Sequence, residues 1–280
     1  MTTIALLGTG LLGSAMVENM LQKGFAVRVW NRTRDKLAPL AQKGAVAAAD
    51  PADCVRGADR VHLVLTDDAV VDAVLAQALP GLRAGAPVYD HSTNLPAKVA
   101  ARCASLRAQG VRYVSAPAFM SPTNAREASG LLVFAAPAAE HAAIEADLAP
   151  MTGKVWCAGE RPDAAAVHKL AGNSTFFALA AAMADVLSIG AGCGMSAEQM
   201  LAFYDVFKPG VALPFLGQRV ARGGAGRASF ELQMARKDVR LCLEAAGKEP
   251  VLVLPAVAAA MDKALAQGKA QSDYAVFTRA

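Results

Sequence analysis

"TIALLGTGLLGSAMVENMLQKGFAVRVWNRTR", residues 3–34, decides how this chain is read. An apolar run, Ile4-Ala5-Leu6-Leu7, leads directly into Gly8-Thr9-Gly10-Leu11-Leu12-Gly13, and apolar residues then recur at helical spacing from about 11 to 23. A second run, Ala26-Val27-Arg28-Val29-Trp30, closes the unit. Strand, glycine turn, helix and strand make a βαβ pattern in which each glycine has its own task. Gly8 permits the tight turn, Gly10 lets a pyrophosphate approach the backbone, and Gly13 lets helix and strand pack closely. The helix start, at Leu11 and Leu12, presents N–H groups to phosphate oxygens. A lone G-x-G-x-x-G is weak; between a strand and a helix it predicts dinucleotide binding.

The alternation continues. Arg60–Leu65, Pro87–Tyr89, Arg112–Val114 and Leu131–Ala135 read as strands, and Val155-Trp156 as a last edge strand. Helical patterns lie at about 33 to 43, 67 to 79, 96 to 109 and 138 to 148, so the first half is an α/β Rossmann domain with a parallel sheet. After Gly159 the pattern changes. Asp163 to about Ile189 is one apolar-periodic stretch without proline, a helix of about 25 residues. Helical segments follow at 196 to 207, 212 to 221, 229 to 246 and 253 to 267. The expected organisation is a Rossmann domain over 1–160, then an all-α domain over 161–280 that begins with a long interdomain helix.

Of 280 residues, 54% are apolar and 19% charged, ample for a core, and the net charge of +4 comes from scattered residues. That excludes extensive nucleic-acid or acidic-membrane surfaces. The five cysteines (Cys54, Cys103, Cys157, Cys193, Cys242) form no CxxC or His/Cys ligand spacing, so free thiols and no metal site are expected. No basic leader precedes the first strand. The most membrane-like stretch, Phe176–Met183, meets Asp185 well short of the roughly 18 apolar residues that a span requires. A soluble, cytoplasmic protein is expected.

Residue types at the strand ends suggest the chemistry. After the second strand stand Asn31, Arg32, Thr33 and Arg34. A carboxylate at Asn31 would select the ribose 2′-hydroxyl of NAD; an amide with a guanidinium and a hydroxyl suits the 2′-phosphate of NADP. NADP is therefore favoured, with NAD possible. The same residues could instead start a helix, with Asn or Thr as its cap. Leu65 and Thr66, at the third strand's end, belong to the same cleft. Asp90-His91-Ser92-Thr93-Asn94-Leu95-Pro96 follows the fourth strand. Ser92 and Thr93 could bind cofactor or cap the helix opening near Pro96, and spacing favours the cap. His91 is either a general base or a packed histidine. Lys169, with Asn173 one turn on, is either a desolvated proton-transfer group or a lysine snorkelling from a helix edge. His168 projects about 100° away from it. Lys237-Asp238 reads as a solvated helix face. "SAPAFMSPTNAREASG", residues 115–130, reads as strand end and loop, yet it holds an apolar Phe119-Met120 pair.

In this order the motifs resemble the β-hydroxyacid dehydrogenase family, of the 3-hydroxyisobutyrate dehydrogenase and glyoxylate/succinic semialdehyde reductase type, related to 6-phosphogluconate dehydrogenase. The resemblance covers nearly the whole chain: the glycine opening, "NRT", "STNLP", "KLAGN" as K-x-x-x-N, and "KDVRLCLEAA". It implies that Lys169 is the catalytic general acid/base and Asn173 a ligand for the substrate's hydroxyl or carboxylate. It implies that Thr93 contacts the nicotinamide side of the cleft. Lys237 would reach the cofactor from the helical domain, with Asp238 helping to hold it and counted among the substrate-binding residues. A homodimer or homotetramer through the helical domain is implied as well.

The match breaks at residues 115–121. The family usually has D-x-P-V-S-G-G there, a hydroxyl and backbone amides that grip a carboxylate. This chain has Ser115 for the Asp, Phe119 for the Ser, and Met120-Ser121 for the glycines. A ring and a thioether are no strong donors to a carboxylate. Ser121, Thr123 and Arg126 are conceivable replacements, and Phe119, Met120 and Ser121 are the expected substrate wall. "APAFMSP" is similar to imine reductases, relatives that typically carry Asp or Tyr where this chain keeps Lys169. The sequence thus predicts an NADP-preferring dehydrogenase or reductase acting on a small β-hydroxyacid or its semialdehyde. The alternatives are reduction of cyclic imines, and a non-catalytic NADP-binding sensor.

Overall fold

A computed structural model describes residues 1–280. Six parallel strands form the main sheet: β1 (Thr3–Leu7), β2 (Ala26–Trp30), β3 (Val46–Ala47), β4 (Arg60–Leu63), β5 (Val88–Asp90) and β6 (Tyr113–Ser115), in the order β3-β2-β1-β4-β5-β6. Alternation along β1 buries Ile4 and Leu6 in one apolar cluster and Ala5 and Leu7 in another, because helices cover both faces. These helices are α1 (Leu11–Gln22), α2 (Ala38–Gln42), α3 (Pro51–Val55), α4 (Asp68–Ala78) and α5 (Pro96–Ala108). The strand order reverses between β1 and β4, where open α/β sheets take their ligands.

The rest of this half departs from the sequence expectation of one continuing sheet. β7 (Ala118–Phe119) pairs antiparallel with β8 (Leu131–Phe134), which pairs parallel with β9 (Lys154–Cys157), so these strands form a separate sheet. α6 (Pro122–Glu127) lies inside the stretch expected to be loop, and α7 (His141–Leu148) follows β8. The expected helix over 33 to 43 is instead a 3₁₀ turn, Arg34–Leu37, followed by α2. β3 and α3 are too short to leave a periodic signal.

α8 (Ala164–Gly192) follows, then α9 (Ala197–Ala202), α10 (Leu213–Ala221), α11 (Leu232–Ala246) and α12 (Leu254–Ala266). No further strand occurs. The chain divides into two compact units, Met1–Asn173 and Ser174–Ala280, so the boundary falls inside α8. By length and composition α8 could cross a membrane, whereas the sequence predicts no span there because Phe176–Met183 meets Asp185. Asp185 is buried, and its carboxylate accepts from the N–H groups of Leu252 (2.5 Å), Val253 (2.9 Å) and Leu254 (2.8 Å). Three charge-assisted bonds tie α8 to the loop that opens α12. Leu232 and Ala235 of α11 with Met261 and Ala264 of α12 form the core of the second unit.

Candidate active site

Leu7 pairs with Trp30 of β2 and with Leu63 of β4, so Gly8, Asn31 and Val64 emerge side by side at the carboxyl ends of three strands. Gly8 has φ +104° and donates its N–H to Trp30 O at 2.9 Å. A Cβ there would collide with the carbonyl of Val64, and one at Gly13 with the carbonyl of Gly8. At Gly10, by contrast, a Cβ would meet nothing within 4 Å. That open space above the turn is what a ligand phosphate needs. α1 starts with no side-chain cap and no acidic residue in its first turn, leaving its N–H groups to an anion. A groove of about 480 Å³ opens from Gly8 and Gly10 past Asn31, Arg32, Thr33, Leu65 and Thr66. Its dimensions and donors fit part of a dinucleotide.

Asn31 is a strut across the groove's edge. Its Oδ1 accepts from Thr9 N–H at 3.1 Å, and its Nδ2 donates to Thr33 O at 2.9 Å. The helix-cap reading of Asn31 is therefore set aside, and Thr33 opens the 3₁₀ turn without a side-chain cap bond. Arg34 is spoken for, donating to Ala49 O at 3.1 Å. Arg32 is exposed with no hydrogen-bond or ion-pair partner, and Lys36 lines the same groove with its ammonium likewise unpaired. Sequence reasoning missed Lys36, which a 3₁₀ turn brings round to the groove while a regular helix was expected.

The 90–96 segment behaves differently from its spacing. α5 is capped at Leu95 without a side-chain bond, so neither Ser92 nor Thr93 caps it. Ser92 is buried and its Oγ accepts from Leu65 N–H at 2.9 Å, tying the ends of β4 and β5 together. Thr93 is exposed. The fully buried Asp90 carboxylate accepts from Ser92 N–H (2.9 Å), Asn94 Nδ2 (2.7 Å) and Tyr113 Oη (2.6 Å). Tyr113 also accepts from Arg102 (3.1 Å), which bonds Asp68 (2.9 Å) and Asp72 (2.6 Å) on α4. Burial, then the Asp90 charge, push the Tyr113 phenol well above its usual range.

His91 is no surface base. It is buried, with Nδ1 2.6 Å from Ala116 O and Nε2 2.8 Å from Nδ1 of the buried His62. A carbonyl only accepts, so His91 Nδ1 carries the proton and His62 Nδ1–H donates to His91 Nε2. Burial holds both imidazoles below their ordinary pKa, and they form a neutral core pair.

Lys169 is partly buried on α8. Its Nζ donates to Ala118 O at 2.8 Å and lies 4.4 Å from the centre of the Phe119 ring, and desolvation lowers its pKa. No carboxylate pairs with it. Asn173, one turn later, is also partly buried, and its amide forms no hydrogen bond within the chain. His168 turns away, bonding Ala164 O at 2.8 Å and meeting Trp156 edge-on. The structure therefore brings Phe119 to Lys169, but it gives Met120 a different neighbour: its side chain folds against Gly130 and the main core. Ser121 is the N-cap of α6, its Oγ accepting from Asn124 N–H at 3.1 Å. Arg126 is bound to Glu18 of α1 at 2.6 Å. Ser121 Oγ is thus committed to the cap, and Arg126 to Glu18 through its Nε. Thr123 is exposed on α6. In the second unit, Lys237 and Asp238 on α11 pair with each other at 2.9 Å on an exposed face. All five cysteines are free thiols.

Residues 3–159 match the family model described as the NAD binding domain of 6-phosphogluconate dehydrogenase. An uncharacterized oxidoreductase, YfjR, of Bacillus subtilis is 26% identical over 87% of this chain and 86% of its own length. The cytokine-like nuclear factor N-PAC of Xenopus tropicalis is 30% identical over 86% of this chain, which spans only 45% of that relative's length. Among solved structures, an imine reductase from Myxococcus stipitatus in complex with NADP⁺ superposes with a TM-score of 0.88 at 24% identity, covering 100% of this chain and 99% of that one. That likeness shows the fold: a Rossmann-type half, a long helix and a helical half. With more than half of its length in the family match, the chain belongs to the β-hydroxyacid dehydrogenase family, related to 6-phosphogluconate dehydrogenase through its NAD-binding domain, as an NAD(P)-dependent oxidoreductase.

Proposed function

We propose that the protein is an NADP-preferring oxidoreductase acting on a small β-hydroxyacid or its semialdehyde, with Lys169 giving or taking the hydroxyl proton. One observation carries this reading. Lys169 is partly withdrawn from water, bonded to a neutral carbonyl and no carboxylate, with the unbonded Asn173 amide one turn on. A lysine so desolvated releases its proton closer to neutral pH than a solvated or ion-paired one, as general acid/base chemistry requires. The bound nicotinamide supplies or accepts the hydride. The chain's part is to hold the cofactor and to move a proton at the substrate oxygen.

Gly8, Gly10, Leu11, Leu12 and Gly13 would hold the pyrophosphate. Asn31, Arg32, Thr33 and Lys36 would take the 2′-phosphate, with Leu65, Thr66 and Thr93 along the rest of the cleft. NADP is favoured because an amide follows β2 where NAD sites place a carboxylate, and because Arg32 and Lys36 lack partners within the chain. Asn173 would meet the substrate's hydroxyl or carboxylate, and Lys237 and Asp238 would serve from the second unit. Phe119 would form an apolar wall, with Met120 and Ser121 behind it. Assembly as a homodimer or homotetramer through the helical unit is supported by Phe176 and Phe177, which are 68% and 72% exposed on α8. The proposed location is the cytoplasm, with no nucleic-acid or membrane partner.

A second reading, reduction of cyclic imines, is favoured by the engagement within the chain of Ser121 and Arg126, two of the donors that could grip a carboxylate in the 115–126 segment. Lys169 counts against it, because an ammonium suits an alkoxide-forming carbonyl better than an iminium. NADPH oxidation against a panel of semialdehydes and cyclic imines separates them, with Lys169→Ala in parallel. Carbonyl turnover that Lys169→Ala abolishes is expected. Turnover of imines alone would replace the first reading by the second. Tight NADPH binding with no turnover at all would favour a sensor.

A further inference from the structure

We propose that Phe119 is a positioning residue for Lys169: its ring, seated in a notch that Gly172 leaves on α8, holds the ammonium over its face and against the Ala118 carbonyl. The inference rests on the reading of Lys169 as the proton-transfer group. The local sequence makes it possible. β7 is only two residues long, Ala118–Phe119, so the carbonyl that accepts from Lys169 and the ring beneath it belong to adjacent residues. At 4.4 Å from the ring centre, Nζ is well inside the range of a cation–π interaction.

Gly172 completes the device. Glycine inside a helix is less favourable than alanine by roughly 1 kcal/mol. A methyl at this position would fall 3.0 Å from Phe119 Cζ and closer still to Cε1. The glycine thus admits the ring at the level of the helix one turn from Lys169. Phe119 is partly buried and packs against the apolar cluster of Val133, Ala135, Ala164 and Ala165.

Few charges compete for the ammonium within the first unit. Ser115–Ser121 carries no ionisable side chain. Asp163, ahead of α8, is paired with Arg161 at 2.7 Å, and His168 faces Trp156. Lysine's charged form is therefore supported by one carbonyl and one ring, against the desolvation that disfavours it. Replacing the ring by leucine keeps the site apolar and removes the quadrupole, so the Lys169 pKa should fall further.

Trace acetylation with acetic anhydride across pH, read by peptide mass spectrometry, reports the Lys169 pKa without any turnover. In Phe119→Leu the titration should move down by about 0.4 to 1.5 pH units. Gly172→Ala, which displaces the ring, should move it the same way, and the double variant should match Phe119→Leu alone. An unmoved titration in Phe119→Leu, or additive shifts in the double variant, would overturn the proposal. If Gly172→Ala does not fold, Phe119→Leu still decides. Absence of carbonyl turnover by the wild type would sink the functional reading but leave the titration test standing; a Lys169-dependent reductase with no shift in Phe119→Leu would do the reverse.

Discussion

The side-chain oxygen of Asn31 accepts from the backbone N–H of Thr9 at 3.1 Å, locking the end of β2 to the glycine turn after β1. The same amide also fixes the segment after β2, since its nitrogen donates to Thr33 O at 2.9 Å. Asn31→Asp keeps the acceptor for Thr9, loses the donor to Thr33, and places a negative charge where a 2′-phosphate would lie. NADPH affinity should fall tenfold or more, on the order of 1.4 kcal/mol, while NADH affinity changes little. Fluorescence titration with each nucleotide checks this, and parallel losses for both would show that Asn31 only braces the turn.

Arg32 and Lys36 are the unpaired cations of the groove. A charge-assisted bond to phosphate contributes about 1.5–3 kcal/mol, so Arg32→Ala should weaken NADP by roughly ten- to a hundredfold. Lys36→Ala should have a smaller effect of the same kind, and NAD should be almost indifferent to both. No effect on either nucleotide would mean that Arg32 merely faces solvent, and equal losses that it meets a part common to both.

Tyr113→Phe removes the hydroxyl that lies 2.6 Å from the buried Asp90 carboxylate and 3.1 Å from Arg102. Leaving a buried carboxylate with one donor fewer costs about 1–3 kcal/mol, to be read from urea unfolding. Because Asp90 also holds Ser92 N–H, and Ser92 Oγ holds Leu65 N–H, NADPH affinity should drop as well. Unchanged stability would show that the Arg102–Tyr113–Asp90 network is dispensable.

Burial alone would raise the pKa of Asp185, but the N–H groups of Leu252, Leu254 and Val253 hold it below the ordinary carboxylate value. With a folded-state pKa lower than the unfolded one, its stabilisation is complete above about pH 4 and is lost as pH falls through the folded value. Asp185→Asn should therefore lower stability near neutrality and flatten the acid limb of the stability–pH curve, measured by denaturant titration at several pH values. An acid limb as steep as in the wild type would assign it to other carboxylates.

Much of this was legible in the sequence because it is periodic. The runs at Ile4, Ala26, Arg60, Pro87 and Arg112 gave strands, and the Gly8–Gly13 turn gave the groove. What stayed hidden depends on contacts distant in the chain. β7 is a strand only because Ala118 and Phe119 meet Leu132 and Leu131. Arg126 looked free until α6 packed on α1 and brought Glu18 to it. Ser92 looked like a cap until the β4 end came within reach of its hydroxyl. Phe119 was singled out as an apolar residue in a polar stretch, but its seat against Gly172 needed the helix and the small sheet together.

Lys169 is the centre of the proposed chemistry. Its substitution by methionine keeps the length and apolar stem of the side chain and removes the proton. Steady-state NADPH oxidation with a semialdehyde, alongside an NADPH binding titration, is the direct measurement. A loss of at least about a hundredfold in kcat, the scale of general acid catalysis, is expected, with NADPH affinity held. In the wild type the reduction rate should fall as pH rises through the lowered Lys169 pKa, and the variant should lack that limb. A Lys169→Met enzyme that reduces the semialdehyde at the wild-type rate with the same pH profile would show that Lys169 is not the proton-transfer group.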